Sequence, residues 1–154
     1  MDDRFRIYID RLKDQHTELL DLSLPPDFLE IDEPDLLFEQ PVNVKGKVYL
    51  AHQDLVLDLD IKTVAAIPCA ICNEPTEVPI SLGHAVHVVP LSEIRAGVFD
   101  LRPVLREAIL LEIPLTVECA GGCLKRQEVE GFYKQEAVDE HRPFEGLSAD
   151  DYER

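Results

Sequence analysis

Hydrophobic and polar positions alternate along much of this chain, and that alternation predicts more strand than helix. Near the N-terminus RFRIYID places Phe5, Ile7 and Ile9 on one side of an extended segment, a strand signal. RLKDQHTELL follows, with Leu12, Leu19 and Leu20 near one side of a short helix that His16 interrupts and Pro25–Pro26 ends. Residues 27–41 are acidic with isolated hydrophobes and read as an extended connector along a sheet edge.

The central segment carries the clearest pattern. Val42, Val44, Val48 and Leu50 share a period of two, His52–Asp54 reads as a turn, and Leu55, Leu57, Leu59 and Ile61 share a face again. Asp58 and Asp60 point the other way. This predicts a β-hairpin whose second strand runs through VAAIP into a first pair of cysteines. EVPISLGHAVHVV then alternates, with Val78, Ile80, Leu82 and Val86 in phase, so CAICNEP lies on a turn between two strands.

The period changes at residues 100–112. Leu101, Val104, Leu105, Ala108 and Ile109 fall at helical spacing, with Leu111 on the flank. Asp100 fits the N-cap and Pro103 the first turn. Arg102 and Arg106, four apart, fall on the solvated side. Pro114 stops the helix, and the apolar run Pro114–Val117 leads into CAGGC. From residue 126 the chain turns polar and acidic, too poor in apolar residues to offset its ordering entropy, so a flexible acidic tail is expected over 126–154. Phe132, Tyr133 and Phe144 are the candidates to dock. The pattern predicts one α+β domain over 1–125. It has an antiparallel β-sheet of about five or six strands, one main helix and, as an additional candidate, a short N-terminal helix.

Composition changes this picture in two ways. With 154 residues, 45% hydrophobic and 30% charged, the chain can bury a core without staples. The formal net charge is −16, from 31 acids against 15 bases. A field of that sign repels nucleic acid and favours basic partners. The start lacks the basic and apolar regions of a signal peptide, and no stretch approaches a membrane span. A cytoplasmic protein with reduced thiols is expected.

All four cysteines fall into two close pairs, Cys69/Cys72 (CAIC) and Cys119/Cys123 (CAGGC), with 46 residues between them. Short turns of this kind supply two thiolates each at the bite a tetrahedral zinc ion needs. Gly121 and Gly122 let the second turn adopt positive φ. The gap exceeds the roughly 15–20 residues of a compact zinc ribbon, so the fold must bring the pairs together. Two other readings stand beside zinc: thiol-based redox chemistry, and inert cysteines packed as small hydrophobes in an acidic interaction module. Against the redox reading, Pro68 and Pro75 flank the first pair and no helix opens at Cys69 to lower a thiol pKa. His84 and His87, three apart on a strand, point to opposite faces, and His16, His52 and His141 are isolated. No GxSxG, P-loop, GxGxxG or RNA-stacking motif is present, and no small-molecule substrate is suggested.

Two strings, VAAIPCAICNEPTEVPI and FDLRPVLREAILLEIPLTVECAGGC, resemble the YceD-like family, the large ribosomal RNA subunit accumulation proteins. The resemblance covers about residues 42–126. It implies a non-enzymatic role in the production or accumulation of large-subunit (23S) ribosomal RNA, and a metal site at Cys69, Cys72, Cys119 and Cys123. The second pair departs from the longer basic turn of many relatives, and Lys125 and Arg126 are the only bases near it. The charge favours a basic ribosomal or RNA-processing protein as partner. Direct contact with ribosomal RNA through Arg102, Arg106, Lys125 and Arg126 is the other form of the same expectation.

Overall fold

The structure, a computed structural model, describes residues 3–133. In chain order its elements are β1 (Arg6–Tyr8), β2 (Glu18–Leu24), β3 (Val42–Ala51), β4 (Asp54–Pro68), β5 (Pro75–Pro90), β6 (Val98–Asp100), α1 (Arg102–Leu111) and α2 (Arg126–Tyr133), with short 3-10 turns between. Strands β2-β3-β4-β5 form one antiparallel sheet in that order, and β1 pairs with β6 in a second. With α1 as main helix the architecture is α+β, as the alternation predicts.

The β3–β4 hairpin forms because its apolar positions repeat every second residue. Val42, Val44 and Val48 face the same side as Leu55, Leu57, Leu59 and Ile61, all essentially without solvent exposure. Gly46 breaks the valine series for a steric reason. A Cβ there would stand 2.1 Å from the Asp58 carbonyl oxygen, so only glycine lets the two strands approach. Leu24 of β2, the cross-strand partner of Val42, extends this face, and against it lie Ile7 of β1 and Leu105 and Ile109 of α1, joined by Leu12, Leu29 and Leu101. Leu101, Leu105 and Ile109 recur at helical spacing and are fully buried, each stabilising the fold by about 1.5–3 kcal/mol.

Three local expectations are corrected. The helix expected over RLKDQHTELL is a single 3-10 turn at Ile9–Leu12 followed by β2. Asp14 and Gln15 take positive φ, which no helix tolerates, and Leu20, Leu22 and Leu24 pair onto β3 with a period of two. Leu19 consequently faces solvent at 80% exposure. Second, Val86 is out of phase with Val78, Ile80 and Leu82. A bulge inserts one extra residue in β5 between the partners of Leu59 and Ile61. His84 there has a φ of 52°, and its N–H donates to Asp60 Oδ1 at 2.8 Å. Beyond the bulge Ala85, His87 and Val89 take over the inner phase and Val86 turns out. Third, Leu101 rather than Asp100 occupies the N-cap, although the Asp100 carboxylate still accepts the Arg102 backbone N–H at 3.0 Å. The apolar run Pro114–Val117 forms no strand, and Leu115 is fully exposed.

The connector does run along a sheet edge. Leu37 bridges to Ala66 by two backbone hydrogen bonds of 3.1 and 2.8 Å, where β3 has already ended and β4 continues alone with β5. The acidic C-terminal segment begins as helix α2, which Phe132 and Tyr133 close. The rest of the expected tail, with His141 and Phe144, lies outside the described residues. Among the described residues no helix is long and apolar enough to cross a membrane.

Candidate metal centre

The β4–β5 hairpin is long, and its closing turn carries the first cysteine pair. Pro68 pairs with Pro75 across the base of that turn, Cys69 N–H donates to the Glu74 carbonyl at 2.8 Å, and Asn73 N–H donates to the Cys69 carbonyl at 2.9 Å. Asn73 takes a φ of 63°, a conformation asparagine tolerates well. This tight turn aims Sγ of Cys69 back at its own backbone, where it accepts the Ile71 N–H at 3.4 Å.

The second pair lies on a 3-10 turn after α1. Here Ala120 and Gly121 take positive φ while Gly122 is extended, so the left-handed positions sit one residue earlier than the glycines suggest. Two hydrogen bonds dock this turn on the first. Ala70 N–H donates to the Val117 carbonyl at 2.7 Å, and Cys119 N–H donates to Sγ of Cys69 at 3.3 Å. Glu118 escapes the sequence reading, because a lone carboxylate beside a cysteine carries no motif. Its Oε2 accepts the Cys123 N–H at 3.2 Å and its Oε1 takes the Arg126 guanidinium at 2.9 Å. It thereby fixes the start of α2 against the turn.

These contacts bring all four sulfurs within 4.8 Å of one another. Cys72 and Cys119 are 3.6 Å apart, and none of the four cysteines is in a disulfide. Four sulfurs at about 2.3 Å from one tetrahedral ion lie about 3.8 Å apart, so the donor set fits a single metal ion. Cys69 and Cys123 are buried, while Cys72 and Cys119 keep some solvent access.

No family model, curated protein or solved structure matches the chain.

The electrostatics are uneven across the cluster. The Cys72 backbone N–H, with those of Cys119 and Ile71, outweighs burial and holds the Cys69 thiol down at about 6. Hydrogen bonding with Cys72 and Cys123, reinforced by burial, pushes Cys119 up to about 12. Backbone N–H donors thus already favour one thiolate, and a cation at the centre would supply what the others need.

The four candidate bases for contact with RNA or a partner occupy different surroundings. Arg102 forms a two-pronged pair with Asp100 at 2.7 and 3.1 Å and lies over the Phe5 ring. Arg106 donates from Nε to the Leu29 carbonyl at 2.7 Å. Arg126 is shared between Glu118 and Glu130. Lys125 is exposed beside Cys123. Arg102 and Arg106 sit on α1 and Lys125 and Arg126 beside the cysteines, so they belong to two separate elements. Three of the four already serve this chain's own oxygens.

Proposed function

We propose that this protein is a non-enzymatic ribosome-biogenesis factor. It supports large-subunit ribosomal RNA accumulation in the cytoplasm through contacts with a basic protein partner, and a structural zinc ion on Cys69, Cys72, Cys119 and Cys123 clamps its fold. The observation that carries the clamp is the convergence of four sulfurs within 4.8 Å from two segments far apart in sequence. Zinc is the metal that four thiolates in tetrahedral reach suit best, and a closed set of four protein ligands leaves no position for substrate. A redox role is disfavoured by access. The thiol with the lowered pKa, Cys69, is 3% exposed, whereas a reactive cysteine must be both ionised and reachable.

The ribosomal assignment rests on the resemblance of the two cysteine-bearing strings to the YceD-like family. The preference for a protein partner rests on charge. A chain at −16 whose candidate arginines are paired with its own oxygens offers little to phosphates and much to a basic surface.

The test is depletion in the native host with quantification of large- against small-subunit ribosomal RNA. The reading predicts a fall in the large-subunit share that wild-type protein restores. An unchanged ratio would remove the ribosomal role. Retention of ribosomal RNA by purified protein at physiological salt would instead favour direct RNA contact.

A further inference from the structure

The outer edge of β5 pairs with no strand among the described residues. Its two halves are protected differently. In the first half Pro75 and Pro79 remove N–H donors and the bulge at Gly83–His84 bends the edge, two devices that discourage strand addition. The second half, residues 84–89, reads HAVHVV and contains neither proline nor Lys, Arg, Asp or Glu. Val86 and Val88 stand 61% and 52% exposed on it. Such an edge offers a row of backbone donors and acceptors to an incoming strand.

A slot of about 150 Å³ runs beside this edge. Ala85, Val86 and His87 form one wall, and Glu107, Ala108 and Leu111 of α1 form the other. The two alanines leave it open, and Glu107 is exposed at its rim. Its dimensions suit one unbranched side chain.

The neighbouring charges select the occupant. Asp58 is the cross-strand partner of Val86 and Asp54 that of Pro90, and Glu107 faces both strand and slot. Of the nearby bases, Lys47 lies one strand further from the edge, opposite Asp58, Lys62 lies on β4 beyond the bulge, opposite Ser81, and the His84 imidazole stands 3.5 Å from the Asp58 carboxylate. A second copy of a chain at −16 would meet like charge here, whereas a cationic strand meets carboxylates. We propose that residues 84–89 of β5 receive an extended basic segment of a partner protein as an added strand. The aliphatic stem of one lysine or arginine fills the slot and its charged head rests on Glu107. This deepens the reading of a basic protein partner, on which it rests, and does not depend on the metal.

The probe is a synthetic peptide of about eight residues alternating lysine and valine, with a glutamate–valine peptide as control. In a titration followed by amide NMR, the lysine peptide is expected to shift the signals of residues 84–89 and slow their hydrogen exchange. Glu107→Lys, a change on the exposed side of α1, is expected to weaken binding about tenfold or more, equivalent to about 1.4 kcal/mol. The proposal falls if the lysine peptide leaves residues 84–89 unmoved at millimolar concentration, if the glutamate peptide binds equally, or if Glu107→Lys changes nothing. It also falls if sedimentation shows the free protein pairing through this edge, which would make a second copy the occupant. Absent peptide binding with an intact depletion phenotype removes this surface alone. Peptide binding as expected with an unchanged ribosomal RNA ratio leaves the surface standing and removes the ribosomal role alone.

Discussion

The two ends of the β4–β5 ribbon are held by different chemistry. At the base, β3 flanks β4 and α1 covers the inner face, and Leu55, Leu57 and Leu59 are excluded from water. At the tip, β3 has ended, and among the described residues the edge of β4 away from β5 carries just the Leu37 bridge. The turn that follows is anchored by two hydrogen bonds and four converging sulfurs. Strands of 15 and 16 residues outrun what one core of this size can cover. Where burial stops, the four thiols offer a site for ligation instead. The cysteines therefore sit where a two-stranded ribbon would otherwise be marginal, and their role is local to that end.

Breaking each end separately tests this division. The largest effect is expected at the tip. Cys119→Ser removes one of four ligands, and structural zinc sites of this kind carry apparent binding energies on the order of 10 kcal/mol. Metal content should fall to near zero, and the amide of Ala70, bonded to Val117, should lose its hydrogen-exchange protection. Amides at Leu57 and Leu59 should keep theirs. Uniform loss of protection would show that base and tip form one cooperative unit.

At the base, Leu57→Ala is expected to lower stability by about 3 kcal/mol in urea unfolding, since it empties a fully buried site. Below its unfolding transition the variant should retain its full metal content. Loss of metal in the folded variant would contradict the division.

A smaller effect concerns the entry to α1. The Arg102 side chain holds the Asp100 carboxyl below the usual carboxylate range. A depressed folded-state pKa adds stability above the unfolded value, near 4, and that stability is lost as pH falls through the folded value. Asp100→Asn should therefore cost about 0.5–1 kcal/mol at neutral pH, modest because the pair is half exposed. The difference from wild type should close below about pH 4. A gap that persists in acid would mean that the carboxylate charge contributes nothing.

Much of the base was legible in the sequence because its physics is periodic. The β3–β4 hairpin and α1 follow from alternation at two and 3.6, and the α+β class with them. Residues 11–20 misled because Leu12, Leu19 and Leu20 mimic a helical stripe, while the strand signal of Leu20, Leu22 and Leu24 starts only at its end. The phase change at Val86 was hidden because one inserted residue leaves no mark beyond Gly83. In the site, the cysteine cluster was legible since all four cysteines fall in two close pairs. What the pairs are attached to was not. The Ala70–Val117 bond and the bridging by Glu118 depend on how the fold closes a 46-residue gap, which no local pattern encodes.

The proposed zinc clamp on the four thiols is tested by elemental analysis of protein purified without chelator. One zinc per chain is expected, with no thiol reactive toward a thiol reagent until a chelator is added. Metal-free folded protein with four freely titratable thiols would contradict it.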